Sequence, residues 1–339
     1  MPLDTQTLID TAQALMAPGK GILAMDESLG TCNRRFAQVG IGQSEENRRR
    51  YRELLVTAPG LASHISGAIL FEETLYQRTA DGVPFVEVLQ AAGIVVGIKV
   101  DAGAQPLAAF PGERITEGLD GLRERLKAYA GQGARFAKWR AVLNITEQLP
   151  SRFAIQANAQ ALARYAALCQ EAGVVPIIEP EILMDGDHSL ARCQAVTTEV
   201  LAQVFEQLHQ HRILLEGMIL KPNMVLPGQD SPVTATLEAV AQATVESFLR
   251  TVPAAVAGIA FLSGGQSSPL ATAHLNAMHQ GAPLPWPLTF SYGRALQDEA
   301  LHVWAGDDAH VERAQQALVQ RARCNGAAAQ GQYHPSMEN

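Results

Sequence analysis

Residues 136–143 read Phe-Ala-Lys-Trp-Arg-Ala-Val-Leu, a short apolar run that carries two cations, Lys138 and Arg140. Successive side chains of a strand point to opposite faces, so residues two apart share one face. A charged side chain is costly to bury unless it is paired. The stretch therefore predicts a mostly buried strand that presents a lysine and an arginine together on one face.

Seven more short apolar runs recur along the chain, and segments with helical spacing of apolar residues, such as 157–172 and 199–209, lie between runs. The seven runs are 21–25, 65–70, 94–100, 174–178, 218–220, 259–262 and 288–292. Alternation of strands and helices predicts a parallel sheet covered by helices. Eight such strands predict a closed (β/α)8 TIM barrel, an α/β fold.

The alternative is a doubly wound sheet. No G-x-G-x-x-G motif follows the first strand, which argues against that fold. We expect one domain over residues 1–339, with extra helices near both ends of the chain. The tail from about residue 325 is rich in Ala, Gly and Gln, so we expect residues 325–339 to be flexible.

Composition narrows the class of protein. The chain is 47% hydrophobic and 18% charged, as is usual for a globular enzyme, and its net charge is −8. The negative charge argues against nucleic acid or an anionic membrane as a partner. Four cysteines without a C-x-x-C pair suggest neither a disulfide framework nor a zinc knuckle, and we expect a cytoplasmic location.

In a TIM barrel, the catalytic side chains come from the C-terminal ends of several strands. This chain has polar residues at almost every such end. They are Asp26, Lys99, Asp101, Lys138, Arg140, Glu179, Glu181, Lys221, Ser263-Gly264-Gly265 and Ser291-Tyr292-Gly293-Arg294. We expect them to converge on one rim of the barrel.

Lysine is scarce, which makes its positions informative. Only five of the 26 lysines and arginines are lysine, and three of these, Lys99, Lys138 and Lys221, lie in or directly after apolar runs. Crowded ammonium groups lower each other's pKa, and a neutral lysine amine can attack a carbonyl to form a Schiff base. Three buried ion pairs are the structural alternative, and spacing does not say which lysine is the nucleophile.

Schiff-base chemistry also needs a carboxylate that moves protons. Asp26, Glu179 and Glu181 are the candidates. The nine histidines are scattered, and His209 and His211 are too close along a helix to face together, so no metal cofactor is expected.

Two segments are candidates for anion binding. The turn Ser263-Gly264-Gly265 offers a hydroxyl and unshielded N–H groups, and Arg294 adds a cation, which together suit a phosphate. Ser28, Thr31, Arg34 and Arg35 could hold a second anion. From composition alone, however, a helix cap followed by a basic helix face is the favoured reading of that segment.

The segments taken together resemble class I fructose-1,6-bisphosphate aldolase, the metal-independent Schiff-base type. The resemblance runs from about residue 10 to about Pro335. It rests on residues 19–24, 26–28, 45–49, 97–101, 136–140, 179–183, 220–224, 261–266 and 288–296.

The resemblance implies reversible cleavage of fructose 1,6-bisphosphate through a Schiff base on Lys221. It implies that Glu179 dehydrates the carbinolamine and that Asp26 takes the C4 hydroxyl proton. Lys138 resembles the neighbouring cation and Glu181 its carboxylate partner, within a charge network that includes Arg140 and Lys99. The C1-phosphate site is implied at Ser263, Gly264, Gly293 and Arg294 with Ser291 nearby, and the C6-phosphate region at Ser28, Thr31, Arg34 and Arg35.

The family is typically a homotetramer of glycolysis and gluconeogenesis that acts on small sugar phosphates. Two departures matter. Arg34 and Thr31 replace the lysine and serine of animal members, and the printed residues end at Asn339 without the C-terminal tyrosine of animal and plant members. We therefore expect enamine protonation to be slower or to use another group. A Schiff-base aldolase for another ketose phosphate, such as sedoheptulose 1,7-bisphosphate, and a non-enzymatic scaffold are the alternatives.

Overall fold

The computed structural model describes residues 4–338, and ten strands occur in that range. They are β1 (Gly21–Met25), β2 (Ile65–Leu70), β3 (Val95–Lys99), β4 (Gly103–Pro106), β5 (Arg114–Glu117), β6 (Phe136–Leu143), β7 (Val175–Ile182), β8 (Ile219–Leu220), β9 (Ile259–Phe261) and β10 (Leu288–Tyr292). Eight of them close into a parallel barrel in the order β1-β10-β9-β8-β7-β6-β3-β2. The predicted (β/α)8 TIM barrel is confirmed, and the eight predicted runs are its strands.

Twelve α-helices lie in the same range. They are α1 (Thr5–Leu15), α2 (Leu29–Gln38), α3 (Glu45–Val56), α4 (Glu72–Tyr76), α5 (Phe85–Ala91), α6 (Leu122–Gly131), α7 (Arg152–Glu171), α8 (Leu190–Gln210), α9 (Leu237–Thr251), α10 (Ser268–Met278), α11 (Arg294–Trp304) and α12 (Val311–Ala328). Within residues 4–338, no helix has both the length and the apolar character that a membrane span needs.

The barrel interior is apolar near the N-terminal ends of the strands. Side chains such as Ala24, Phe136, Ile177 and Ile219 pack there with residues of α1. The ring of Phe136 fills space that Gly97 leaves open, because a Cβ on Gly97 would lie only 2.3 Å from that ring. Helix α1 therefore contributes to the packed core at one end and leaves the opposite end for polar residues.

The hairpin formed by β4 and β5 was not predicted. Its strands are short and antiparallel, and they lie outside the barrel sheet. Sequence patterns miss it because four-residue strands such as Gly103–Pro106 bury little apolar surface.

The structure places residues 325–338 against α10 and α12, and their flexibility stays a prediction. Helix α12 continues through Asn325, which is fully buried and accepts a hydrogen bond from Thr272 at 2.6 Å. Beyond it, Tyr333 donates to Glu338 at 2.8 Å, and Glu338 pairs with Arg321. Ala328 is fully buried, and a Cβ on Gly326 would lie 2.4 Å from the Gly19 carbonyl oxygen, so small residues pack closely here. Asn339 lies outside the described residues.

Candidate active site

The polar rim follows from the alternation of side chains along the strands. Ala24, Phe136, Ile177 and Ile219 face the barrel interior. Two positions further along the same strands the side chain faces inward again. Those positions hold Asp26, Lys138, Glu179 and Lys221. The apolar packing of the earlier positions thus sets the directions of the charged side chains that follow at the C-terminal ends of the strands.

All sixteen predicted site residues line one cavity of about 1070 Å³. They are Asp26, Ser28, Thr31, Arg34, Arg35, Lys99, Lys138, Arg140, Glu179, Glu181, Lys221, Ser263, Gly264, Ser291, Gly293 and Arg294. The cavity lies at the C-terminal ends of the strands, where the fold places catalytic groups. The structure therefore brings these sixteen residues together, whereas Tyr292, which was also noted at a strand end, is fully buried and does not line the cavity.

Lys138 lies at the centre of a buried charge cluster. Its Nζ is 2.7 Å from Oδ2 of Asp26 and 3.1 Å from Oε2 of Glu179. The other oxygen of Glu179, Oε1, is 3.2 Å from Nζ of Lys221. All four of these residues are less than 10% exposed. Two lysines and two carboxylates thus form a continuous chain of ion pairs.

The charges in this chain set the protonation of its members. Burial by itself would lower the pKa of Lys138, but the Asp26 and Glu179 carboxylates raise it well above its ordinary value. Lys138 therefore stays an ammonium ion at neutral pH. For Lys138, the expectation that crowded lysines lower each other's pKa was wrong, because the carboxylates between the lysines outweigh their mutual repulsion.

The pKa values of the two carboxylates, Asp26 and Glu179, shift in the opposite direction. Burial would raise the pKa of Asp26, yet the nearby lysines, with Lys138 foremost, lower it to about 2. Burial also acts to raise the pKa of Glu179, and Lys138 and Lys221 lower it by more. Both groups are ionised at neutral pH and can accept a proton.

A second layer of pairs surrounds the cluster. Lys99 Nζ lies 2.6 Å from Asp101 Oδ1, and Arg140 pairs with Glu181. Asp101 also accepts a hydrogen bond from the Arg140 backbone N–H at 3.3 Å. Asp101 thus links Lys99 of β3 to Arg140 of β6, a contact between two strands that spacing along the chain does not predict.

The turn after β9 and the start of α11 lie together at one corner of the cavity. Gly264 and Gly265 have φ values of +57° and +86°, which favour glycine. A Cβ on Gly265 would lie 3.6 Å from Nη2 of Arg294. Helix α11 begins at Arg294 without a side-chain cap on its first N–H groups. Such an N-terminus attracts anions.

Ser291 completes this corner. It is 1% exposed, and its hydroxyl has no hydrogen-bond partner among residues 4–338. A buried hydroxyl without a partner is unfavourable, and a bound ligand oxygen would satisfy it.

The segment at the start of α2 supplies the opposite side of the cavity. Ser28 caps α2 by accepting from the Thr31 N–H at 3.4 Å, and Arg34 donates to the Thr31 hydroxyl at 3.0 Å. The helix cap that composition favoured is thus present. The same residues nevertheless line the cavity, so capping and ligand binding are compatible here.

Arg35 differs from Arg34 in how its charge is used. Arg35 is 7% exposed and pairs with Glu27 and, at 3.0 Å, with Asp298. Glu27 is shared with Arg52 at 2.7 Å. Glu27 is not among the predicted site residues, because its partners are 8 and 25 residues away along the chain. Arg34 is exposed and its charge has no carboxylate within 4 Å among the described residues.

No group of three or more His, Cys, Asp or Glu side chains within residues 4–338 is arranged to hold a metal ion. Tyr333 does not line the cavity.

A family model described as glycolytic fructose-bisphosphate aldolase class-I matches residues 7–339. A probable fructose-bisphosphate aldolase class 1 from Xanthomonas axonopodis pv. citri is 56% identical over 332 residues, which cover 98% of this chain and 99% of that protein. Human fructose-bisphosphate aldolase C is 54% identical over 334 residues, which cover 98% of this chain and 92% of the human protein.

A solved structure shares the fold. Fructose-bisphosphate aldolase from Plasmodium falciparum, in a ternary complex with TRAP and a small-molecule inhibitor, matches with a TM-score of 0.96 and 48% sequence identity. The match covers 97% of this chain and 95% of that one.

Proposed function

The chain belongs to the class I fructose-bisphosphate aldolase family, and from that premise we propose which of its residues perform each step of the reaction. The family's enzymes are metal-independent lyases that cleave fructose 1,6-bisphosphate in glycolysis through a lysine Schiff base. The observation that carries the assignment is the ion-pair chain from Asp26 through Lys138 and Glu179 to Lys221.

Lys221 is the nucleophile. Its Nζ has one carboxylate neighbour, Glu179, whereas Lys138 is held between two. Lys221 reaches the amine form by giving a proton to Glu179, and the amine attacks the C2 carbonyl of the ketose. Lys138 remains an ammonium ion because its pKa is raised, so it cannot attack.

Glu179 moves protons during imine formation. The attack by Lys221 gives a carbinolamine, and loss of its hydroxyl group as water requires a proton donor. Glu179, which is 3.2 Å from Lys221 Nζ and carries the proton that Lys221 released, supplies it. The product is the iminium ion, which draws electrons from the C3–C4 bond.

Asp26 is the base for cleavage. It is ionised, because its pKa is about 2, and it takes the proton of the C4 hydroxyl as the C3–C4 bond breaks. The bond's electron pair passes to the iminium, which becomes an enamine, and glyceraldehyde 3-phosphate leaves. Protonation of the enamine and hydrolysis release dihydroxyacetone phosphate and restore Lys221.

Lys138 links the two acid–base groups. From its position 2.7 Å from Asp26 and 3.1 Å from Glu179, it stabilises both carboxylates and the charge that develops near them. Glu181 pairs with Arg140, and Lys99 pairs with Asp101. Arg140 and Lys99 thereby supply the outer positive charge of the site.

The phosphates are bound at the two sides of the cavity. The C1-phosphate is bound by Ser263, Gly264, Gly293 and Arg294, and the Ser291 hydroxyl contacts the same end of the substrate. The C6-phosphate contacts Ser28, Thr31 and Arg34. Arg35 contributes positive charge to this side of the cavity without binding the phosphate directly, because its guanidinium is already paired with Glu27 and Asp298.

The experiment that tests these roles is borohydride reduction in the presence of dihydroxyacetone phosphate, with the modified peptide identified by mass spectrometry. We expect one adduct, on Lys221, and its loss in Lys221→Arg. The matched control is Lys127→Arg, since Lys127 is an exposed lysine of α6. An adduct on Lys138 would overturn the assignment.

Substrate preference is tested separately. A cavity of about 1070 Å³ is slightly above the usual range for small-molecule sites, roughly 300–1,000 Å³, so size does not exclude a longer ketose. Competition between fructose 1,6-bisphosphate and sedoheptulose 1,7-bisphosphate, compared as kcat/KM, gives the preferred substrate. We expect fructose 1,6-bisphosphate.

We also propose a cytoplasmic homotetramer that serves glycolysis and gluconeogenesis and binds neither nucleic acid nor membranes. Family membership supports the assembly and the pathway, and the net charge of −8 supports the absence of polyanionic partners. Light scattering coupled to size-exclusion chromatography measures the assembly, and a monomer or dimer would contradict it.

A further inference from the structure

The turn Ser263-Gly264-Gly265 is held in shape by the residue that follows it. Gln266 donates twice to the Ser263 carbonyl, from its backbone N–H at 3.1 Å and from its side-chain Nε2 at 3.0 Å. Ser263 and Gln266 are each 8% exposed. Two donors from one residue fix the direction of that carbonyl, and so fix the peptide that enters Gly264.

The side chain of Gln266 is in turn oriented by His274 of α10. Oε1 of Gln266 lies 2.6 Å from Nδ1 of His274. The Ser263 carbonyl can only accept, so the amide NH2 must face it and the amide oxygen must face the ring. His274 therefore donates from Nδ1.

The ring of His274 suits this task. It is 3% exposed, and its Nε2 has no partner within the described part of the chain. Burial lowers the pKa of His274 to about 4, so the ring is neutral at pH 7. A change of pH near neutrality therefore does not charge the ring. No partner at Nε2 within the described residues favours moving the hydrogen away from Nδ1.

We propose that Gln266 and His274 are positioning residues for phosphate binding: His274 orients the Gln266 amide, and the amide holds the Ser263 carbonyl away from the cavity. The backbone N–H groups of Gly264 and Gly265, which donate to no other group within residues 4–338, then remain available to the anion. This inference rests on the proposed C1-phosphate site.

The two residues act through the turn. Neither Gln266 nor His274 lines the large cavity, so neither touches the substrate. Gln266 Nε2 also lies 3.5 Å from the sulfur of Met224, three residues after Lys221, and the Leu262 N–H donates to the Pro222 carbonyl at 3.1 Å. The Leu262–Pro222 backbone bond, which neither Gln266 nor His274 forms, joins the turn to the segment that carries the nucleophile.

The test compares two ketones that differ by the phosphate alone. The half-saturating concentration for borohydride trapping is measured with dihydroxyacetone phosphate and with dihydroxyacetone. In His274→Leu and in Gln266→Met, we expect the first value to rise about three- to tenfold, as for the loss of one hydrogen bond. The value for dihydroxyacetone stays within about twofold, since loss of the positioning bond acts on the phosphate contacts alone.

Two further variants sharpen the result. His274→Gln keeps a side-chain N–H donor, and we expect it to restore part of the affinity for dihydroxyacetone phosphate. His279→Leu removes the other histidine near the end of α10, which has no hydrogen bond to the turn, and both values should stay unchanged. Trapping of dihydroxyacetone also reports that each variant is folded.

An equal loss for both ketones in His274→Leu and Gln266→Met would mean a merely structural role and would overturn the inference alone. So would unchanged values for dihydroxyacetone phosphate. If the parent chain forms no adduct with either ketone, or binds both equally, the proposed Schiff base or phosphate site fails, and this inference fails with it.

Discussion

Lys138 and Lys221 contact the two different oxygens of one buried carboxylate, that of Glu179, at 3.1 and 3.2 Å. Lys138 has Asp26 as a second partner at 2.7 Å, and Lys221 does not. In the proposed mechanism, this asymmetry distinguishes Lys138, the lysine held between two carboxylates, from Lys221, the nucleophile.

Asp26→Asn should separate imine formation from carbon–carbon cleavage. The amide cannot take the C4 hydroxyl proton, so we expect the cleavage rate to fall by about 10²–10⁴, the usual contribution of a general base. Borohydride trapping of dihydroxyacetone phosphate on Lys221 should persist. A parallel loss of cleavage and trapping would place Asp26 in the imine step.

Lys138→Met should move the acid limb of the pH–rate profile. Without the ammonium, burial dominates and raises the pKa of Asp26 from about 2, and it raises that of Glu179 as well. Activity should then be lost at a higher pH than in the parent as the solution is acidified. The measurement is kcat across pH 4–9, with Lys127→Met as the control. An unchanged limb would contradict the charge linkage.

The same pKa shift makes a prediction for acid stability. The pKa of Asp26 falls from 3.8 to about 2 on folding, so the unfolded chain binds more protons between these values. The carboxylate contributes about 2 kcal/mol above pH 4, and this is lost as the pH falls through about 2.

The free energy of unfolding in urea checks this. Asp26→Asn should be less stable than the parent at pH 6, and the difference should shrink as the pH falls from 4 to 2. A difference that does not depend on pH would contradict the assignment.

Gly265→Ala should weaken phosphate binding. The position has φ +86°, and the added Cβ would lie 3.3 Å from the Met184 sulfur and 3.6 Å from Arg294. Gly40→Ala is the matched control, because φ is +73° there and nothing lies within 4 Å of the Cβ. Both variants should lose about 1–2 kcal/mol of stability from backbone conformation.

Gly265→Ala alone should raise the half-saturating concentration of dihydroxyacetone phosphate, by roughly tenfold, which corresponds to about 1.4 kcal/mol. Equal binding in the two variants would show that the turn does not touch the phosphate.

Removal of divalent metals should leave turnover unchanged. The Schiff base takes the place of a Lewis acid as the electron sink, so cleavage in buffer with excess EDTA should proceed at the parent rate. Addition of Zn²⁺ after the chelator serves as the control. Loss of turnover with EDTA and recovery with Zn²⁺ would point to a different mechanism.

Much of the site could be predicted from short-range patterns. Asp26, Lys138, Glu179 and Lys221 each follow an inward-facing apolar residue by two positions, and the strand period of two is readable in the sequence. The direction of the Lys138 pKa shift was not readable, because it depends on Asp26, which lies 112 residues earlier, directly after β1, a strand that does not neighbour β6 in the sheet.

For the C-terminal residues, composition did not predict the contacts. The composition of 325–339 indicates a loose tail, yet Asn325 is buried against Thr272, and Glu338 pairs with Arg321. Composition measures how much apolar surface a segment has. It does not measure how closely small residues approach a neighbouring helix.

The sequence by itself determined the barrel and the residues on its rim, because strand periodicity and the order of strands and helices are local properties of the chain. Tertiary structure alone decided which lysine has two carboxylate partners and which has one, and that His274 contacts Gln266 behind the turn Ser263-Gly264-Gly265. The physical reason is that Coulomb and hydrogen-bond energies depend on distances in space of a few ångströms. Closure of the barrel, and not spacing along the chain, sets those distances.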